Sequence, residues 1–196
     1  MAEPTDGRRR KGERRRRLLL DATLRVIERD GTAAVSQRAV AREAAVAPSA
    51  VLYYFPTVDD LLVATLTAVN DEYLRILTAC AATADPVAAL AVAITSSTRR
   101  PAVVAEYELF LLAARRPELR GEYVRWSRAL DAFLAPFTPS ARRRAGAAAA
   151  VDGLFLRCSC DPEALTPKAV HEVLDDLLAG PAGAAGARGG TITGHP

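Results

Sequence analysis

The 196-residue sequence predicts an all-α protein of about nine helices. Three observations lead there. Apolar residues recur every three or four positions through most of the chain. No stretch alternates apolar and polar residues with the period of two that a half-buried strand needs. Gly, Pro, Ser and Thr stand between the periodic segments, where helices start and stop.

The first helix carries a broad stripe of Leu19, Leu20, Ala22, Leu24, Val26 and Ile27, and Asp30-Gly31 ends it. Ser36 suits the N-cap of a short helix through Ala44, since its hydroxyl can accept from a free backbone N–H. Val40 and Ala44 then face inward. Ala47-Pro48 opens a second short helix, with Pro48 in a first turn where a missing N–H costs nothing, and Phe55-Pro56 closes it. Thr57 caps a long helix over 57–82 whose first turn holds Asp59 and Asp60, favourable at the positive end of the helix dipole. Its inward stripe is Leu62, Leu66, Val69, Tyr73, Ile76 or Leu77, and Cys80. Further helical patterns cover 86–99, 101–115 and 117–137, the third with Leu119, Tyr123, Trp126, Leu130, Phe133 and Phe137 at helical spacing. An alanine-rich helix at Ala141–Cys158 and an amphipathic one at Lys168–Leu178 complete the set. From Gly180 the Gly/Ala/Pro-rich tail has too little apolar content to fold, so 180–196 is expected to be disordered.

Composition narrows the function classes. Half the residues are apolar, yet no apolar run approaches the ~18 residues of a membrane span. The basic N-terminus lacks the apolar core of a secretory signal. Three cysteines without an export signal fit a reducing cytoplasm. Net charge is only +3, but residues 1–60 hold 12 Lys+Arg against 9 Asp+Glu, while the rest is balanced at 14 and 14. The excess sits in "RRRKGERRRR", Arg8 to Arg17, which reads as a flexible basic arm for phosphates. Cys158 and Cys160, two apart, with His171 beyond them, lack the spacing and the fourth ligand of a zinc site, so no metal is expected. The glycine-rich "GPAGAAGARGG" follows a helix and not a strand, which fails the context test for a nucleotide loop. No cofactor is expected, and no nucleophile–base pair supports a helical enzyme.

The stretch "SQRAVAREAAVAPSAVLYYF", Ser36 to Phe55, carries the functional signal. Helices this short are marginal alone and must be held by their neighbours. Two of them joined by a tight turn beneath a longer helix form a DNA-reading unit, in which the second enters the major groove. Tyr53 and Tyr54 then close the reading helix, where a phenol can meet a phosphate while its ring packs below.

Over residues 14–62, "LLLDATLRVIERDG", "SQRAVAREAAVAPSAVLYYF" and "FPTVDDLL" resemble the DNA-binding domain of the TetR family of bacterial repressors, in the family's order and spacing. The later helices resemble the family's effector half only in number and pattern. The resemblance implies a division into a basic arm (1–13), a helix-turn-helix domain (14–60), a ligand-binding and dimerisation domain (61–179) and the tail (180–196). It implies DNA contacts from Arg14, Ser36, Gln37, Arg38, Ala47, Pro48, Ser49, Tyr53, Tyr54 and Thr57. The residues depart from the family pattern at three places. Ala45 stands at the usual turn glycine, suggesting a turn that avoids the left-handed conformation. Leu52 replaces a frequent tyrosine and Val58 a frequent lysine.

The resemblance also implies an effector cavity. The long helix and its aromatic neighbours place it near Tyr73, Leu77, Tyr107, Phe110, Leu111 and Trp126, with Glu106 or Arg125 as orienting groups and a mostly apolar small molecule as effector. Val151, Leu154, Phe155 and Cys158 on one helix, with Val170, Leu174 and Leu177 on the next, form stripes beside very small residues and suit a homodimer interface. The expected function is a ligand-responsive repressor that leaves a pseudo-palindromic double-stranded DNA operator when its effector binds. The alternatives are a ligand-independent or activating helix-turn-helix regulator and a helical enzyme.

Overall fold

The computed structural model describes residues 4–97, 102–161 and 163–179. Among these are nine α-helices and two 3₁₀ turns, with no strand. In chain order the helices are α1 (Pro4–Asp30), α2 (Gln37–Glu43), α3 (Pro48–Tyr54), α4 (Val58–Ala81), α5 (Pro86–Ser97), α6 (Val103–Leu112), α7 (Arg120–Leu134), α8 (Ala141–Cys160) and α9 (Pro167–Ala179). The 3₁₀ turns are Thr32–Ala34, before α2, and Pro117–Leu119, before α7. The expected disordered tail lies outside the described residues. No described helix is long and apolar enough to cross a membrane.

The expected arm differs from what is found. Residues 4–13 are helical and continuous with α1, so the basic segment projects as a helix and not as a flexible strand. Arg, Lys and Glu are good helix formers, and the glycines at 7 and 12 do not outweigh them. The third central pattern also differs at both ends: Pro117–Leu119 forms a 3₁₀ turn and α7 stops at Leu134.

Two apolar clusters organise the chain. The first joins α1, α2, α3 and the leading half of α4 through Leu19, Ile27, Val40, Val51, Phe55 and Leu62. It also takes in Ala105, Leu109 and Ala113 at α6, together with Leu119. The second joins the far end of α4 with α5, α7, α8 and α9 through Leu77, Ile94, Leu130, Leu134, Val151, Val170 and Leu174. Helix α4 runs through both. It therefore buries a wider face than a single stripe, adding Leu61, Thr65 and Asn70 to the expected residues.

Candidate DNA-reading head and effector cavity

Local capping builds the reading head. Ser36 Oγ accepts from the Ala39 N–H at 3.1 Å and starts α2. Pro48 occupies the first turn of α3. Thr57 and Asp60 form a reciprocal capping box on α4: Thr57 Oγ1 accepts from the Asp60 N–H at 3.0 Å, and Asp60 Oδ2 accepts from the Thr57 N–H at 3.0 Å. Between α2 and α3, Ala45 has φ +51°. The turn is thus left-handed after all, although its residue is alanine, and the expectation of another geometry is overturned. The chain reversal imposes this conformation, and the Ala45 Cβ makes it strained by about 1–2 kcal/mol.

The outer surface of the head is made mostly of small side chains. Arg14, Ser36, Arg38, Ala47, Pro48, Ser49, Tyr53 and Thr57 are all exposed, while Tyr54 is half-buried against the first cluster. Tyr53 is 81% exposed and meets Tyr54 edge-on, with ring centres 5.1 Å apart. Arg14, Arg15 and Lys11 on α1 share a surface groove with both tyrosines, which brings the basic helix alongside the end of α3. Arg16 lies over the Phe55 ring at 5.6 Å.

Two expected contact residues are occupied within the protein. Gln37 gives its amide to the carbonyls of Phe55 at 2.9 Å and Pro56 at 2.8 Å. The Thr57 hydroxyl accepts from the Asp60 N–H and donates to the Asp60 carboxylate at 2.7 Å, which leaves it no proton for a phosphate. The sequence reading missed a further brace. Glu43 of α2 accepts from Arg25 at 2.7 Å and from Arg29 at 2.8 Å, both on α1. These hydrogen bonds, Arg29 first, hold the Glu43 carboxyl below the usual carboxylate range.

Behind the head, α4, α6, α7 and α8 enclose a cavity of about 210 Å³, open on one side. Tyr73, Glu106, Tyr107, Phe110, Leu111, Tyr123, Trp126, Val151, Asp152 and Phe155 line it. The aromatic rings touch in series. Phe155 stacks on Tyr107 at 6.0 Å and meets Tyr73 edge-on at 5.5 Å, while Trp126 tilts against Tyr73 at 5.7 Å and Phe110 at 6.4 Å. Two carboxylates face this wall, and among the described residues no Lys or Arg lines it. Glu106 is buried, and Tyr73 donates to it at 2.5 Å. Asp152 stands where solvent still reaches, and Trp126 Nε1 donates to it at 3.3 Å. The surrounding apolar groups push the Asp152 carboxyl above its ordinary range. Tyr107 donates to the Asp152 backbone carbonyl, and burial, then the Asp152 charge, pushes its phenol up to about 12.

Five of the six expected lining residues meet here. Leu77 does not; it lies one layer deeper, in the second cluster. Arg125 is turned away to Asp71 and Glu122. Glu106 lines the cavity as expected of an orienting group, and Asp152 adds a second carboxylate that was not expected. Val151 and Phe155, expected at a dimer interface, line the cavity instead.

The expected interface changes further. Val151, Cys158, Val170 and Leu174 are at most 2% exposed and fill the core of their own chain, so they offer nothing to a second copy. Of the expected set, only Leu177 is exposed on these helices, beside residues outside the set. Leu156, Val173 and Leu177 are exposed, Leu154 is half-buried, and Gly146 and Gly153 on α8 have open space where a Cβ would stand. Burial of one stripe in the monomer left the opposite faces of α8 and α9 free.

Residues 19–65 match the family model described as bacterial regulatory proteins, tetR family, and residues 78–180 match that of the tetracyclin repressor-like C-terminal domain. The chain belongs to the TetR family. It is therefore a helix-turn-helix transcriptional regulator with a ligand-binding C-terminal domain. A TetR-family relative, the regulator BetI of Rhizobium meliloti (strain 1021), is 32% identical over 84% of this chain and 87% of its own. The multidrug binding protein EbrR, solved with ethidium, has a TM-score of 0.70 and 34% identity over 83% of this chain and 97% of that one. EbrR has also been solved with malachite green and with proflavin. The TetR-family protein SCO1917 of Streptomyces coelicolor A3 superposes with a TM-score of 0.74 at 34% identity, covering 83% and 97%. These relatives are regulators or binding proteins, not enzymes.

Proposed function

We propose that the protein is a homodimeric repressor whose effector is an organic cation with a broad aromatic or apolar body. One observation carries the reading: α6 has a side in each half of the molecule. Glu106, Tyr107, Phe110 and Leu111 line the cavity, whereas Ala105 and Leu109 sit in the core of the reading head. Next to them, Glu108 Oε2 accepts from the Thr32 N–H at 3.1 Å, at the turn that leads into α2. Arg116 adds an ion pair to Asp59 at the start of α4. A ligand that displaces α6 thus acts on the head directly, in addition to the path along α4.

Lining chemistry supports the cation. A positive charge is attracted by ring faces and by carboxylates, and the cavity combines six aromatic rings with Glu106 and Asp152. Ethidium and malachite green, bound by the related EbrR, are organic cations of this kind. A cation that binds the DNA-incompetent arrangement more tightly shifts the population away from the operator. A near-complete switch takes a preference of about 10⁴.

For assembly, the outward faces of α8 and α9 support a two-fold seam through Leu156, Val173 and Leu177. The two reading helices of such a dimer stand about 34–36 Å apart, or a multiple of this, on a pseudo-palindromic site. Selection from a randomised duplex pool identifies the site. Titration of the complex with tetraphenylphosphonium, a cation that does not intercalate, then tests the switch. Release of the duplex by this cation, and not by a neutral compound of similar size, is the expected result. Release by neither compound refutes the effector assignment, and operator binding by a monomer refutes the assembly.

A further inference from the structure

We propose that Gln37 is a positioning residue for DNA recognition: it sets the angle of the reading helix and does not read a base. The observation is the pair of hydrogen bonds from its Nε2 to the Phe55 carbonyl at 2.9 Å and the Pro56 carbonyl at 2.8 Å. Two carbonyl oxygens at that range can be met only by an NH₂ group, so the amide orientation is fixed by chemistry. Both amide protons are then spent inside the protein. A side-chain amide reads adenine with its N–H and its oxygen together, and Gln37 has no proton left for that pairing.

Its position explains why the tie matters. Helix α3 is only seven residues long and cannot hold its own direction. Its N-terminal end follows the strained Ala45 turn, and its C-terminal end passes into Phe55 and Pro56, which lead to the Thr57 cap of α4. Carbonyls at a helix C-terminus have no partner within the helix. Gln37 is the first residue of α2, so one side chain ties the start of the first short helix to the end of the second. The turn fixes one end of the reading helix and Gln37 the other. Val51 and Phe55 pack the same segment from below, and Arg16 covers the Phe55 ring. Arg38, exposed and without an ion-pair partner among the described residues, is the neighbour left free for DNA.

The test uses the full-length chain with Gln37→Glu and Gln37→Met. Both keep the length of the side chain and remove the donors; only Glu adds repulsion toward the two carbonyls. Binding is measured on a duplex selected from a randomised pool and on its single-base variants. Affinity should fall on the order of ten- to a hundredfold, equally on all duplexes, with base preference unchanged. Amide exchange in the free protein should speed up at α3 and at the Phe55 N–H, with α8 and α9 unaffected. Gln37→Lys restores donors to the carbonyls and should recover most of the affinity. Recovery through a new phosphate contact instead would steepen the log–log salt slope by about 0.9, and the restored tie leaves the slope as it was. A changed preference at one base position in either donor-free variant overturns the proposal, as does undiminished affinity. If Gln37→Met melts globally, with exchange rising in α8 and α9 as well, Gln37 is a general stability residue and the proposal also fails.

Discussion

The reading head and the cavity half use their polar side chains in opposite ways. In the head, Ser36, Gln37, Thr57 and Asp60 bond to backbone or to each other, and Glu43 bonds to Arg25 and Arg29 of α1. What is left for DNA is small or basic apart from Tyr53: Ala47, Ser49, Arg38 and the α1 arginines. In the cavity half, Glu106 and Asp152 face an open space walled by rings. Short helices need their polar groups to hold their shape, whereas the two carboxylates of the longer helices accept from ring partners at the edge of a cavity. Helix α6 belongs to both regimes, so it is where the contrast can be broken.

The largest effect expected is at Leu109, fully buried where α6 enters the core of the head. Leu109→Ala should cost about 2–5 kcal/mol by transfer and cavity terms, read as a lowered melting transition. Unchanged stability would mean that α6 and the head are not one packed unit.

Next comes the charge of the cavity. Asp152→Asn should weaken ethidium binding, followed without DNA by Trp126 fluorescence, by about tenfold or more. Operator affinity should stay close to that of the parent chain. Cation binding favours the ionised carboxylate, and this carboxyl sits above the ordinary range. Affinity therefore falls on acidification, starting at a higher pH than for an ordinary aspartate near 3.9. Asp152→Asn should flatten that part of the profile. An equal decline in both proteins would assign it to another group.

The smallest effect belongs to the head alone. Ala45→Gly removes the strain of φ +51° but loosens the unfolded chain. The balance should favour the variant by up to about 1 kcal/mol, measured by denaturant midpoint. A destabilised variant would show that the turn relaxes around alanine without strain.

The same contrast explains what the sequence made legible. Ser36, Pro48 and Thr57 act on residues three or fewer positions away, so their types and spacing alone announced the caps. Gln37 reaches Phe55 across 18 positions, and Glu43 reaches Arg25 across the same span. Nothing in residue type distinguishes these ties from exposed side chains. Helical spacing identified the apolar stripes of α8 and α9 but not which partner they face. Val170 and Leu174 went to their own core, and Phe155 to the cavity, once neighbouring helices came within reach. Asp152 escaped notice because its ring partners, Tyr107 and Trp126, lie 45 and 26 positions away.

The central claim is that occupying the cavity acts on the head through α6. Amide exchange at Thr32, whose N–H is held by Glu108, tests it most directly, in the full chain with and without tetraphenylphosphonium. The account predicts faster exchange at Thr32 and through the turn to Ala34 when the cation is bound, together with loss of operator binding. Duplex release with Thr32 exchange unchanged would contradict it and leave α4 as the only path.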